Sequence, residues 1–261
     1  MTTTSSLKDA QTWGMRFTDA PEIGSVADAL LDGYKGKLNE LPLVVTPNVD
    51  ILVTLESADA QVKDTVARAA VVLPDGQPLV SFSRFAGDSL QARLAGSDLT
   101  AHMWPVLAKE KRSTFAVVST PVVGERLLAQ HSEFAFVAAP ILPSEAGSLI
   151  DRFAWNCIEQ IASMGTIPEF VYLGVGFPKD ILLAQSILAQ WPDSLGPAPM
   201  VLAVGASLEF ITGMRKRAPE IFQRLGIEFV YRMMCDPRRL LKRYLVRDAR
   251  FLVILGRHLL K

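Results

Sequence analysis

The feature that most constrains the fold is a repeated alternation of short, wholly apolar runs with longer segments of helix length. The apolar runs span residues 43–45, 70–73, 114–118, 134–138, 170–175 and 200–204. The helix-length segments span residues 49–57, 77–85, 98–109, 122–131, 144–164 and 179–190. Strands that are apolar at every position are typical of parallel sheets buried on both faces. The alternation therefore predicts an α/β fold, in which helices flank a mostly parallel sheet.

Two parts of the chain fall outside this alternation. Residues 1–40 are polar and weakly patterned, and predict one or two short helices around residues 23–34. Beyond about residue 207 the pattern indicates helices only, dense in arginine. We therefore predict a main α/β domain over residues 1–213 and an appended basic helical unit over residues 214–261.

The charge of the chain is unevenly distributed. The net charge is zero overall, which argues against a nucleic-acid partner. Residues 214–261, however, hold 13 lysines and arginines against 4 aspartates and glutamates, a net +9, so the rest of the chain carries −9. This asymmetry predicts an anionic partner for the basic unit, either phosphates or a membrane surface. A solvated helical face is the alternative interpretation.

The sequence indicates a cytoplasmic protein that lies on a membrane without crossing it. The N-terminus has no apolar signal region. No apolar stretch reaches the roughly 18 residues needed to span a bilayer. The two cysteines, Cys157 and Cys235, lie far apart without metal-binding spacing, as expected of reduced thiols.

Polar residues follow the first two predicted strands. In an open parallel sheet, ligands bind at the carboxyl ends of the strands. Thr46 and Asn48 place a hydroxyl and an amide after the first strand, although Asn48 is equally suited to cap the next helix. Asp75, before Gly76, places a carboxylate after the second, where it could accept a proton from a sugar hydroxyl. The alternative is a plain turn, since Pro-Asp-Gly is a common turn sequence.

A third polar segment opens the helix predicted near residue 98. Gly96, Ser97 and Asp98 would leave backbone N–H groups free at the positive end of the helix. Arg93, just before them, could bind a phosphate through two hydrogen bonds. The alternative is that Ser97 or Asp98 simply caps the helix.

Glycine-rich turns follow the last two strands. Gly174, Gly176, Pro178 and Lys179 form a plausible diphosphate cradle, although Lys179 stands where a dinucleotide fingerprint needs glycine. Gly205 opens a similar turn, with tight helix–sheet packing as the alternative. The sequence has no phosphate-loop, His-Glu-x-x-His or Asp-x-Asp motif, so we predict neither a metal nor a cofactor.

The order of these segments resembles the WecG/TagA/CpsF family of glycosyltransferases. The similarity runs from about residue 43 to residue 243. It rests on Thr46-Pro47-Asn48, Leu73-Pro74-Asp75-Gly76, Arg93 to Asp98, Gly174 to Lys179, Arg217-Ala218-Pro219, Tyr231-Arg232 and Asp236-Pro237-Arg238-Arg239. The resemblance implies a Rossmann-like core and metal-independent, inverting transfer of a sugar from a UDP-sugar. The implied acceptor is a polyprenyl-diphosphate-linked sugar at the inner membrane face, in synthesis of exopolysaccharide, capsule or teichoic acid.

The resemblance also implies roles for individual residues. Asp75 occupies the position of the general base, Thr46 and Asn48 lie beside it, and Arg93 matches an arginine at the pocket mouth. Arg232, Arg238 and Arg239 match an appendage that closes over the site and touches the membrane. A second copy of the chain, in a homo-oligomer, is a further candidate partner.

Three segments depart from the family pattern. Asp180-Ile181 replaces Gln-Glu, Ala138 to Ile141 replaces a His-His-Gly-Tyr-like segment, and Gly205 to Glu209 replaces Gly-Gly-x-Phe-Asp. These departures allow a donor other than an N-acetylmannosamine type, such as a glucosyl donor. They also motivate an alternative, a catalytically silent nucleotide-binding scaffold of a polysaccharide assembly complex. A nucleotide-dependent oxidoreductase is disfavoured, because the chain lacks the dinucleotide-binding fingerprint.

Overall fold

The computed structural model describes residues 7–215, 250–251 and 253–257. The chain opens with a hairpin of β1 (Lys8–Thr12) and β2 (Met15–Asp19), followed by α1 (Ile23–Leu31). The remaining strands are β3 (Leu41–Val45), β4 (Ala69–Val72), β5 (Thr114–Val118), β6 (Phe134–Ala138), β7 (Phe170–Leu173) and β8 (Met200–Ala203). The remaining helices are α2 (Val49–Glu56), α3 (Ala60–Ala67), α4 (Gln77–Phe82), α5 (Gly96–Glu110), α6 (Pro121–Leu128), α7 (Ser148–Ser163), α8 (Lys179–Gln190) and α9 (Ser207–Ile211).

Strands β3 to β8 form one six-stranded sheet in the order β4-β3-β8-β7-β5-β6. Every pairing within this sheet is parallel. The six strands predicted from the apolar runs are therefore confirmed, with ends that differ by at most two residues. The Rossmann-like α/β fold is confirmed as well.

Helices cover both faces of the sheet, which explains why its strands are apolar throughout. On β3, Leu43 and Val45 belong to one core cluster and Val44 to the other. The first cluster packs beneath α2, α3, α7 and α8, and the second beneath α1, α5 and α6. Because alternate side chains point to opposite faces of a strand, both sets must be apolar when both faces are covered.

The N-terminal hairpin was not predicted. Its turn is made by Trp13 and Gly14, with φ angles of 57° and 73°. A tryptophan in the left-handed region is uncommon, because a side chain there crowds the backbone. Tertiary contacts stabilise this conformation: Trp13 is buried, and its Nε1–H donates to the carbonyl of Leu79 at 3.0 Å.

Helix α3 was also missed, whereas the helix predicted within residues 23–34 is confirmed. Helix α3 is capped by Asp59, whose carboxylate accepts a hydrogen bond from the N–H of Gln61 at 3.0 Å. Its inward face is narrow, with Val62, Thr65 and Val66 buried. So short an apolar stripe is a weak helical signal.

The end of the chain returns to the α/β core. Residues 250–251 and 253–257 are helical, and Phe251, Ile254 and Leu255 belong to the first core cluster. The rings of Phe251 and Trp13 lie 5.2 Å apart. Arg257 pairs with Glu56 of α2 at 3.3 Å. This part of the predicted basic unit is therefore docked on the main domain.

The rest of the basic unit, residues 216–249, 252 and 258–261, lies outside the described residues, and so do the predicted site residues Arg232, Arg238 and Arg239. The division at residue 213 stays a prediction. Among the helices that the structure describes, none is long and apolar enough to cross a membrane.

Candidate active site

A cavity of about 170 Å³ opens at the carboxyl ends of β3, β4 and β8. Five of the predicted site residues lie on its wall, namely Thr46, Asn48, Asp75, Ser97 and Gly205. The other lining residues are Ile51, Phe177, Asp180, Ala203, Val204, Ala206, Ser207 and Phe210. A crevice at the ends of parallel strands is where open α/β sheets bind their ligands.

Asp75 is half-buried on this wall, and backbone hydrogen bonds fix its position. Its N–H donates to the carbonyl of Pro47 at 2.9 Å, which ties the loop after β4 to the loop after β3. Its carboxylate oxygen Oδ2 accepts from the N–H of Gly96, at the start of α5, at 3.3 Å. A backbone donor at a helix N-terminus favours a negatively charged acceptor. The carboxylate is thus held at the mouth of the sheet in an environment that suits its ionised form.

Gly96 lets helix α5 approach the end of β3 closely. A Cβ atom at this position would lie 2.9 Å from Cγ2 of Thr46 and 3.1 Å from its Oγ1. The Thr46 hydroxyl in turn donates to the carbonyl of Ala203 at 3.4 Å. The absence of a side chain at residue 96 therefore lets the start of α5 pack against Thr46 while its N–H reaches Asp75.

We expect Gly96→Ala to lower both stability and activity. The new methyl group must displace Thr46 or the first turn of α5, which costs about 1–3 kcal/mol in a packed region. Shifting the N–H that holds Asp75 should lower the rate of sugar transfer by up to about 10²-fold, since misplacement near 1 Å can cost that much. Gly147→Ala is the matched control, because a Cβ there meets nothing within 4 Å. Equal activity in the two variants would contradict the role assigned to Gly96.

Asn48 serves as a helix cap and lines the cavity as well. Its Oδ1 accepts from the N–H of Ile51 at 3.0 Å, so the capping interpretation is confirmed. The cap uses the amide oxygen and leaves the amide nitrogen to act as a donor toward the cavity.

Ser97 and Asp98 do not cap α5. Ala95 holds the N-cap position without a side-chain hydrogen bond, so that interpretation is wrong. Asp98 instead pairs with Arg93 at 3.3 Å, and neither of these two residues lies on the cavity wall. Ser97 does lie there. Arg93 is therefore held next to the site by an acidic partner.

The glycine-rich segment before α8 contributes less to the wall than predicted. Pro178 is the N-cap of α8 and Lys179 its first residue, and neither lines the cavity. Gly174 also lies off the wall, and its N–H donates to the carbonyl of Val117 at 2.8 Å. A Cβ on Gly174 would lie 3.1 Å from that carbonyl oxygen, so the glycine permits close packing of strands. Gly176 is off the wall as well and has a φ of 76°.

Glu209 is directed to contacts outside the cavity wall. It accepts a hydrogen bond from the Ser119 hydroxyl at 2.8 Å and pairs with Arg215 at 3.6 Å. Its predicted role in binding substrate therefore has no support from the cavity lining.

Asp180 is a wall residue that the sequence did not predict. Only 4% of it is exposed, and its Oδ1 accepts from the N–H of Ile181 at 2.9 Å. Burial raises the pKa of this carboxyl to about 7. The one sequence signal was its place in a segment that departs from the family pattern. Across the residues described, no group of three or more His, Cys, Asp or Glu side chains is arranged to hold a metal ion.

Two named enzymes are similar to this chain in sequence. The chain is 28% identical over 175 residues to the N-acetylglucosaminyldiphosphoundecaprenol N-acetyl-beta-D-mannosaminyltransferase of Bacillus spizizenii strain W23, over 67% of this chain and 64% of that protein. It is 25% identical over 201 residues to the protein of the same name from Staphylococcus aureus strain MRSA252, over 76% of this chain and 73% of that protein. The chain thus spans slightly less than two thirds of the Bacillus protein.

A family model extends the similarity over nearly the whole chain. The model of the glycosyl transferase WecG/TagA/CpsF family matches residues 12–261. The matched range includes the hairpin strand β2, the complete six-stranded sheet and every residue of the cavity wall. The chain therefore belongs to the WecG/TagA/CpsF family of glycosyltransferases.

Proposed function

We propose that this protein transfers a sugar, with inversion, from a UDP-sugar to a polyprenyl-diphosphate-linked saccharide, without a metal ion. The observation that carries the proposal is the placement of Asp75, half-buried on the cavity wall and hydrogen-bonded by Gly96, with Thr46 and Asn48 on the same wall. Such a reaction requires one positioned base and polar groups that orient two hydroxyl-rich substrates. The wall supplies both.

Asp75 is the base in this mechanism. Its carboxylate accepts the proton of the acceptor hydroxyl while the hydroxyl oxygen forms a bond to the anomeric carbon of the donor sugar. The bond between that carbon and the diphosphate oxygen breaks, and UDP leaves from the opposite face. Attack and departure on opposite faces invert the anomeric configuration. The Gly96 N–H keeps the carboxylate oriented throughout this single step.

We assign the cavity, with a volume of about 170 Å³, to the sugar of the donor. The diphosphate of UDP would then lie outside the cavity. Lys179 and the N-terminal end of α8 lie at this edge of the sheet, and Arg93 is held near it by its ion pair with Asp98 of α5.

The two relatives are a better guide to the acceptor of this protein than to its donor sugar. Both are named for transfer of N-acetylmannosamine to N-acetylglucosaminyldiphosphoundecaprenol. We take the polyprenyl-diphosphate sugar as the acceptor class here, for exopolysaccharide, capsule or teichoic acid synthesis. Because Asp180 lies on the cavity wall where the family pattern has glutamine, the donor sugar is expected to differ, a glucosyl donor included.

A donor panel tests the proposal. The purified full chain is incubated with a synthetic polyprenyl-diphosphate N-acetylglucosamine and each of several UDP-sugars, and products are identified by mass spectrometry and by NMR of the anomeric proton. We expect transfer from one donor, with inverted configuration, at the same rate with EDTA as with added Mg²⁺. Retention of configuration or loss of activity in EDTA would contradict the mechanism. Binding of UDP without transfer from any donor would favour the silent scaffold instead.

The same proposal places the protein on the inner face of the plasma membrane. We expect the triple variant Arg232→Gln, Arg238→Gln and Arg239→Gln to bind phosphatidylglycerol vesicles roughly 150-fold more weakly, since each basic residue near an anionic surface contributes about 1 kcal/mol. High salt should weaken binding of the unmodified protein in the same way. Vesicle sedimentation measures both effects.

Substituting the three arginines tests attachment to the membrane more specifically than truncating the chain does. Removing every residue after 213 would also remove Phe251, Ile254 and Leu255 from the core. A matched control neutralises three exposed lysines of the main domain, Lys8, Lys63 and Lys109, and so removes equal charge. Equal loss of binding in the two triple variants would show that net charge, and not the basic unit, attaches the protein.

A further inference from the structure

We propose that Asp180 binds the sugar in the cavity as a neutral carboxylic acid, donating a hydrogen bond from its O–H to a sugar oxygen. The inference rests on the proposed function and deepens it. It assigns opposite protonation states to two carboxyl groups on one wall, Asp75 ionised and Asp180 neutral.

The position of Asp180 supports a direct contact with ligand. It is the second residue of α8, 4% of it is exposed, and it lies on the cavity wall with Asp75, Ser97 and Ser207. The apolar rings of Phe177 and Phe210 complete the surroundings on this side. A few polar groups set beside aromatic rings are typical of sites that orient a sugar or another small polar ligand.

The surroundings of Asp180 favour its neutral form. Within the described residues no cationic nitrogen lies within 4.0 Å of its carboxyl, and its hydrogen-bond donors are the backbone N–H groups of Ile181 and of Asp180 itself. An ionised carboxylate buried without a cationic partner is costly, so such a group retains its proton. Burial accordingly raises the pKa of Asp180 to about 7.

Among the described residues, no charged side chain offsets this burial, and only backbone hydrogen bonds counter its effect on the pKa of Asp180. Asp75, from the loop after β4, is the one other titratable side chain that the described part of the cavity wall holds. Helix α7 contributes Asp151, which accepts a hydrogen bond from Ser186 at 2.7 Å. Helix α3 presents Lys63 and Asp64 to solvent, and Lys179 precedes Asp180 on its own helix. The adjoining strands β3 and β8 present apolar side chains.

The protonation state changes what the group can recognise. A neutral carboxylic acid has one donor, whereas a carboxylate only accepts hydrogen bonds. Sugar ring, hydroxyl and N-acetyl carbonyl oxygens can all accept from that donor. When Asp180 loses its proton above about pH 7, the donor disappears and the cavity gains a negative charge. Affinity for the sugar should therefore fall on the alkaline side.

The pH dependence of steady-state kinetics tests this inference. For the unmodified protein we expect KM for the donor to rise about tenfold per pH unit above pH 7, with kcat changing little. Asp180→Asn retains a donor at every pH, so its KM should stay flat across the same range. Asp180→Gln, with the same amide group on a longer side chain, is the second variant. Asp64→Asn, an exposed carboxyl on α3, is the control and should keep the unmodified profile.

A spectroscopic measurement supplies a readout independent of turnover. In the full chain labelled with ¹³C at aspartate carboxyls, the signal missing from Asp180→Asn should titrate with a midpoint near pH 7. Adding UDP-glucose or UDP-N-acetylglucosamine, whichever binds, should move that midpoint upward, because the ligand accepts from the protonated form. A midpoint below pH 5, or no shift with either probe, would overturn the inference.

The outcomes separate this inference from the proposed function. Transfer that depends on Asp75 but has the same pH profile in Asp180→Asn overturns the role of Asp180 alone. Absence of transfer and of binding for every donor overturns both. A divalent-cation requirement that disappears in Asp180→Asn would identify Asp180 as a metal ligand and also overturn the inference.

Discussion

Replacing Asp75 with asparagine is expected to lower kcat for sugar transfer by about 10²–10⁴-fold, the usual contribution of a positioned general base. Asparagine has nearly the same shape, and its amide oxygen can still accept from the N–H of Gly96. It cannot accept the proton of the acceptor hydroxyl. KM for the donor and the dissociation constant of UDP should therefore change little, and the loss should appear in kcat. Radiolabelled transfer under saturating substrates measures it.

The control for this prediction is Asp193→Asn, which removes an exposed carboxylate beyond the end of α8. It should retain full activity. If Asp75→Asn also retained full activity, Asp75 would be the turn residue that its local sequence suggests, and another group would have to accept the proton. A loss in Asp75→Asn accompanied by weaker UDP binding would indicate a damaged cavity, not a missing base.

Replacing Phe251 with alanine is expected to lower the free energy of unfolding by about 3–5 kcal/mol, as for other buried phenylalanines. Phe251 is 5% exposed and packs against Trp13, which in turn donates to Leu79 of α4. The cavity left behind would loosen the contact between the C-terminal helix, the hairpin turn and the helix that follows Asp75. Denaturant unfolding, followed by tryptophan fluorescence, measures the change.

Val253 provides a matched control on the same helical segment. It is 55% exposed, so Val253→Ala should change stability by no more than about 0.5 kcal/mol. Similar stabilities for Phe251→Ala and the unmodified chain would mean that the C-terminal helix does not dock on the core in solution. Activity measured on both variants would also show whether docking affects catalysis.

The sheet could be predicted from sequence because its strands are buried on both faces. That condition makes every position of β8, and every position of β5 after Thr114, apolar, and it produces the contrast with the intervening helices. The hairpin could not be predicted in this way. Its turn places Trp13 beside Gly14 in the left-handed region, which a tryptophan seldom adopts, and Trp13 packs against Phe251, which is distant in sequence.

The residues of the cavity wall also differ in whether they could be predicted from the sequence. Thr46, Asn48 and Asp75 could be predicted because each directly follows a recognisable strand, and strand ends of a parallel sheet meet at one edge. Asp180 could not. An aspartate in the first turn of a helix ordinarily stabilises the helix dipole at the surface, and only the tertiary fold shows that this one is buried.

The docking of residues 250–257 has a consequence for residues 216–249. This stretch leaves the core at Arg215 and rejoins it at Arg250, so both of its ends are tethered to the folded domain. Any contact that its arginines make with the folded domain or its ligands is therefore intramolecular, with an effective concentration on the order of millimolar. Dilution of the protein does not reduce this concentration. The contacts proposed for Arg232, Arg238 and Arg239 with a departing phosphate would for this reason not depend on protein concentration.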